Sequence, residues 1–141
     1  TLPVFCHYFR LFASSQLGLF YSEKMIRLFV SAIASTKLVI LQGISGTGKT
    51  SISLAWGKFL KHPSCVASVQ PSWRDKTELV GYFNEFTKKF NETTVLEELY
   101  RASFDDDIHT FILDEMNIAR VEYYFAELLS ILERGKKNDY Y

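Results

Sequence analysis

The sequence has no excess of charge: 16 Lys and Arg balance 16 Asp and Glu, and the pI is near 6.8. Proteins that grip nucleic acid by its phosphates carry a basic footprint. None is present overall, so DNA contact is not supported by charge, and only a local patch stays open. Cysteine is scarce. Cys6 and Cys65 lie far apart, in no metal-ligand spacing, and read as reduced thiols of a cytoplasmic protein. No unbroken apolar run reaches membrane-spanning length. The stretch Pro3–Tyr21 is interrupted by His7, Arg10 and Ser14-Ser15-Gln16, and it lacks the basic start and small-residue cleavage site of a signal peptide. No membrane association is expected. Internal repeats and low-complexity blocks are absent too, and a start at Thr1 rather than Met is expected of a partial chain.

What is there points to a folded domain. The 141 residues are 48% hydrophobic and 23% charged, enough for one domain with a core and too few for two. Aromatics make up 16%, so large side chains fill that core or await a partner. Ser22 can cap a helix whose apolar positions Ile26, Phe29, Val30 and Ile33 share a face. Leu38-Val39-Ile40-Leu41 reads as a short buried strand leading to Gly43. Beyond a glycine-rich loop, Ile52, Ala55, Trp56, Phe59 and Leu60 recur at helical spacing until His62-Pro63-Ser64 stops the helix. Val66–Val69 is a second strand, closed by Pro71.

The stretch Gly81–Asn91, with aromatics around Thr87-Lys88-Lys89, fits a small hairpin with an exposed turn. Thr94-x-x-Glu97 is a capping-box pattern opening a helix with Leu96, Leu99, Tyr100 and Ser103 on one side. Asp105-Asp106-Asp107 reads as a solvated break. Ile108–Leu113 reads as a third strand, with His109 packed or solvated within it. The last helix carries the stripe Val121, Phe125, Leu128, Leu129 and Leu132, with Gly135 as its stop and Lys136–Tyr141 as a frayed tail. Strands alternating with helices predict an α/β fold with a parallel sheet covered by helices.

Gly43-Ile44-Ser45-Gly46-Thr47-Gly48-Lys49-Thr50 fits the G-x-x-x-x-G-K-[ST] phosphate-loop pattern in full. From average residue frequencies the pattern arises by chance in roughly 1% of chains this long. Here it also follows an expected strand and precedes an expected helix. The glycines let the backbone curl until several N–H groups face phosphate oxygens, and the following helix adds its positive end. Lys49 supplies a mobile charge for the β- and γ-phosphates, and Thr50 a hydroxyl for Mg²⁺. Ser45 and Thr47 read as loop positions whose backbone serves the site.

Phe111-Ile112-Leu113-Asp114-Glu115 reads as a strand delivering two carboxylates at its C-terminal edge, where open α/β sheets place ligands. Asp114 is the candidate metal ligand, and Glu115 the group that orients the attacking water. Asn117 is either the N-cap of the last helix or a residue that helps fix Glu115 or its water. Arg120 is either a surface residue or one that reaches a neighbouring subunit's phosphates. The trio Trp73-Arg74-Asp75 either packs or faces a partner or a pore.

Leu41–Thr50, Val69–Asn84 and Leu113–Glu133 together resemble AAA+ ATPases related to the McrB-type restriction subunit, a group that includes the dynein-related and MoxR-like AAA domains. The resemblance implies an AAA+ P-loop NTPase fold: a three-layer sandwich with the P-loop strand at the centre of a parallel sheet. It implies Mg²⁺-dependent ATP hydrolysis driving remodelling of proteins or DNA–protein complexes, with a nuclease or remodelling partner. It also implies self-association as a ring, commonly a hexamer, in which a neighbour's arginine completes each nucleotide site. The hairpin would face the pore, and residues near Leu19–Tyr21 would lie close to the adenine.

On this reading residues 1–36 are a helical lead-in, 37–135 a partial AAA+ core with a hairpin insert near 81–91, and 136–141 a tail. The sensor strand, a further strand and the helical lid with its sensor arginine have no counterpart in the sequence. Restriction-type members use GTP, so a GTP-driven translocation subunit of a modification-dependent restriction system is the rival enzyme. ATP is preferred because most of the family binds it. A nucleotide-binding scaffold without turnover is the rival outside enzymes. Glu115 speaks against that one, because a pure binder needs no water-positioning carboxylate.

Overall fold

Apolar side chains at helical spacing set the first part of the structure. The computed structural model describes residues 1–44 and 46–133, so Ser45, the expected stop at Gly135 and the expected tail Lys136–Tyr141 lie outside the described residues. The chain folds as two units: Thr1–Ser64 with Ile108–Thr110, and Cys65–Asp107 with the described chain from Phe111 onward. No helix among the described residues is long and apolar enough to cross a membrane.

The first unit is built on helices α1 (Leu2–Leu17), α2 (Glu23–Ser35) and α3 (Lys49–Phe59). α1 ends where Gly18 turns left-handed, at φ 65, so that the chain can reverse toward α2. Ser22 caps α2 as expected, its hydroxyl accepting from the Met25 N–H at 3.1 Å. Cys6 and Phe9 of α1, Ile26, Phe29 and Val30 of α2, and Ile52, Ala55 and Trp56 of α3 form one buried cluster. Trp56 is its hub. The rings of Phe5, Phe9 and Phe29 meet it edge-on at 5.8, 5.4 and 5.8 Å. Each such side chain contributes roughly 1.5–3 kcal/mol on burial, and edge-to-face pairs add to that. Phe9, Phe29 and Trp56 are buried here, whereas other aromatics, Phe20, Phe86 and Phe104 among them, are exposed.

Leu38–Leu41 is a correction. The segment joins no strand ladder among the described residues, and Ile40 is 70% exposed. Apolar composition alone does not make a strand; a neighbour must accept its hydrogen bonds, and no described segment does so.

The second unit holds the sheet. β1 (Cys65–Ser68) and β4 (Phe111–Asp114) pair in parallel, Cys65 opposite Phe111 and Ser68 opposite Asp114. The fold is therefore α/β, with a parallel sheet of two strands. A parallel pair needs a crossover, and here it contains α4 (Thr77–Val80), the hairpin β2 (Gly81–Asn84) with β3 (Lys89–Glu92), and α5 (Thr94–Ala102). The third strand is shorter than expected at its start, because Ile108–Thr110 belongs to the first unit, where the His109 ring lies 5.1 Å from that of His62. At Gly81, φ 97, any Cβ would run into the Asn91 carbonyl, so the hairpin closes only on glycine there.

Two helix starts also differ from expectation. α5 is capped by Thr93, one residue before the expected position, because the Thr93 hydroxyl reaches the Leu96 N–H and also donates to the Leu79 carbonyl. The last helix is not continuous. Met116–Ile118 form a 3-10 turn, and α6 (Val121–Tyr124) and α7 (Ala126–Glu133) are separated at Phe125. Val69, Leu79, Tyr124 and Phe125 are the buried centre of this unit.

Candidate functional site

In the first unit the phosphate-loop residues gather at the start of α3. Gly46 and Gly48 take φ of 81 and 85. Gly48 is also the N-cap of α3, and its carbonyl accepts the first helical bond, from the Ile52 N–H at 3.0 Å. A side chain there would have to adopt a left-handed backbone, so the final glycine of the motif is a conformational requirement. The first-turn N–H groups of α3 point along its axis toward the loop, at the positive end of the helix.

Lys49 stands at the centre of this turn. Its ammonium donates to the carbonyls of Gly43 and Ile44 at 2.8 and 2.7 Å. The Thr47 hydroxyl also donates to the Ile44 carbonyl, at 2.8 Å. Thr47 thus contributes a side-chain tie as well as its backbone. The ammonium is folded over the loop it serves, in a bonding geometry that phosphate oxygens can take over from carbonyl oxygens. Thr50, half-buried, sits one residue into the helix.

Tyr21 is the neighbour that the motif does not contain. A Cβ added at Gly48 would stand 3.4 Å from the Tyr21 ring, and the Tyr21 hydroxyl lies 3.5 Å from the Gly48 carbonyl. Burial pushes the Tyr21 phenol up from its usual value, so it stays protonated. Tyr21, with Phe20, His7, Arg10, Leu11 and Ser14, also lines an open groove of about 360 Å³. The Arg10 Nε donates to the Tyr21 carbonyl at 3.1 Å and so fixes the chain at that point.

In the second unit β4 carries Asp114 to its C-terminal end. The Asp114 carbonyl accepts from the Val69 N–H at 3.0 Å, which extends the pairing one residue past the β1–β4 ladder. Glu115 follows at φ 54 and ψ 38, an exposed left-handed residue and the N-cap of the 3-10 turn. A non-glycine residue there costs roughly 1–2 kcal/mol, and such residues cluster at functional sites where the surroundings over-determine them. Asn117 is exposed inside that turn. Its reading as a helix N-cap is wrong: the cap of α6 is Arg120, which makes no side-chain cap bond. Arg120 is exposed and donates from Nη1 to the Tyr123 hydroxyl at 2.9 Å. Trp73 packs edge-on against Tyr124 at 5.2 Å, which favours packing over an outward-facing role.

The structure thus assembles Gly43, Gly46, Thr47, Gly48, Lys49 and Thr50 in the first unit, and Asp114, Glu115 and Asn117 in the second. Sequence reasoning missed Tyr124 and Val69, which hold the carboxylate turn. A tyrosine where the apolar face of a helix would accept phenylalanine was the available signal. Comparison with known proteins adds no identity: no family model matches the chain, and no curated protein and no solved structure matches it significantly.

Proposed function

We propose that the chain is the nucleotide-binding core of an AAA+ ATPase that hydrolyses ATP with Mg²⁺. The observation that carries this reading is the loop at the start of α3, with Gly46 and Gly48 left-handed and the Lys49 ammonium held over the Gly43 and Ile44 carbonyls. The residues fit the ligand. A curled loop at a helix N-terminus with one mobile ammonium suits a triphosphate, and the groove beside Tyr21 offers the base an aromatic surface.

Lys49 would hold the β- and γ-phosphates, and the sequence pattern assigns Thr50 and Asp114 to the metal. Mg²⁺, when bound, neutralises charge across the two phosphates. Glu115 would accept a hydrogen bond from the attacking water and orient it, since γ-phosphoryl transfer needs positioning and charge stabilisation above all. The left-handed Glu115 supports a role in which the aim of the carboxylate matters more than local backbone comfort. Ring assembly and mechanical remodelling follow from the resemblance to AAA+ proteins and belong to the same proposal.

The test is a titration of the full-length protein with Mg-ATP and Mg-GTP. ATP is expected to bind more tightly than GTP, and Lys49→Ala to weaken ATP binding by about 100-fold or more. Unchanged affinity in Lys49→Ala would remove the loop from the site, and preference for GTP would favour the restriction-type reading.

A further inference from the structure

The turn that carries Glu115 has three successive carbonyls, and each has an identified donor. The Asp114 carbonyl accepts from the Val69 N–H at 3.0 Å, and the Glu115 carbonyl from the Ile118 N–H at 3.1 Å. Both donors are main-chain groups, available whatever the side chains. The third donor is a side chain. The Met116 carbonyl accepts from the Tyr124 hydroxyl at 2.8 Å.

Tyr124 is only 1% exposed, and the edge-on Trp73 ring holds its plane. A tyrosine this deep usually carries its hydroxyl to a partner. Here the partner is the Met116–Asn117 peptide, one step beyond the peptide that follows the left-handed Glu115. A left-handed glutamate relaxes toward ordinary φ unless the peptides on both sides are fixed. Val69 fixes the preceding side. On the following side, the Ile118 bond closes the turn upon itself, and the Tyr124 hydroxyl ties it to the buried centre of the unit.

We propose that Tyr124 is a positioning residue for Glu115: its hydroxyl fixes the Met116 peptide and thereby the backbone that aims the Glu115 carboxylate. This rests on the reading of Glu115 as the water-orienting group. Tyr124 takes no part in proton transfer. Its hydroxyl donates to a carbonyl oxygen, and burial raises its pKa, so it remains a donor throughout the working range. Trp73 enters as the wall that keeps the phenol in place, which gives the Trp73 stretch of the sequence a task.

Tyr124→Phe in the full-length protein keeps the ring against Trp73 and removes only the donor. With Mg-ATP as the probe, affinity and KM are expected to stay within about twofold, while kcat falls about tenfold. A residue that only stabilises the fold would lower the melting midpoint and leave kcat per folded molecule unchanged, and that outcome overturns the proposal. The double variant with Glu115→Gln is expected to be no slower than Glu115→Gln alone, because the hydroxyl acts through that carboxylate. Additive losses would place Tyr124 in another role. If Tyr124→Phe does not fold, Trp73→Phe carries the test, with a loss of about threefold in kcat at constant affinity expected and no loss in kcat contradicting it. Full turnover in Glu115→Gln itself would remove the underlying reading of Glu115, whereas its loss beside a fully active Tyr124→Phe would remove only this inference.

Discussion

The phosphate loop and the carboxylate turn solve the same problem, holding an unusual backbone in place, by opposite means. Among the described residues of the loop the departures from ordinary φ fall on glycines, and the tie across it comes from Lys49, a member of the same eight-residue motif. In the turn the departure falls on Glu115, and the ties come from Val69 and Tyr124, on other elements of the second unit. The loop is specified locally and can be written down from eight letters. The turn is specified by tertiary contacts, and its strain persists because they hold it.

The same contrast runs through the two units, and four substitutions test it. The largest effect is expected at Trp56, the hub that anchors α3 behind the loop. Trp56→Ala should destabilise by about 3–5 kcal/mol in denaturant unfolding, because its three aromatic neighbours, Phe5, Phe9 and Phe29, cannot collapse into the space. A loss below about 1 kcal/mol would mean that something other than this cluster holds α3.

Thr93→Ala comes next, at about 2 kcal/mol, since one hydroxyl serves both the Leu96 N–H and the Leu79 carbonyl. Ser22→Ala should cost about 1 kcal/mol, the worth of a cap that bonds only its own helix. Equal costs for the two caps in chemical denaturation would erase the distinction between local and tertiary specification. Smallest is Glu115→Gly. Stability should hold or rise by up to about 1 kcal/mol, because glycine accepts φ 54 without a Cβ penalty, while turnover is lost. A clear fall in melting temperature would show that Glu115 is not strained.

What was legible in the sequence follows the same line. The Ser22 cap, the stripe of α3, the phosphate-loop motif and the carboxylates at the end of β4 each depend on residues within a few positions of one another. Such local patterns are legible without the fold. Leu38–Leu41 has the composition of a strand, but strand formation is decided by a partner that local sequence does not name. The spacing of Val121, Phe125, Leu128 and Leu132 predicts one continuous last helix. The break at Phe125 leaves that spacing intact and changes only the backbone. The cap of α5 moved from Thr94 to Thr93 because Thr93 has a second partner, Leu79, which lies 14 positions away. Tyr124 escaped notice for a related reason: its ring satisfies the apolar pattern, and its hydroxyl bond lies eight residues back, on a turn the pattern does not describe.

In the proposed function the phosphate loop binds the nucleotide and Glu115 turns it over. Glu115→Gln in the full-length protein separates those two roles, because the amide keeps the size of the side chain and loses its charge. Mg-ATP affinity and steady-state hydrolysis, measured side by side with the unaltered protein, are expected to show affinity within about twofold and kcat lower by about 100-fold or more. Hydrolysis at the unaltered rate would contradict the account.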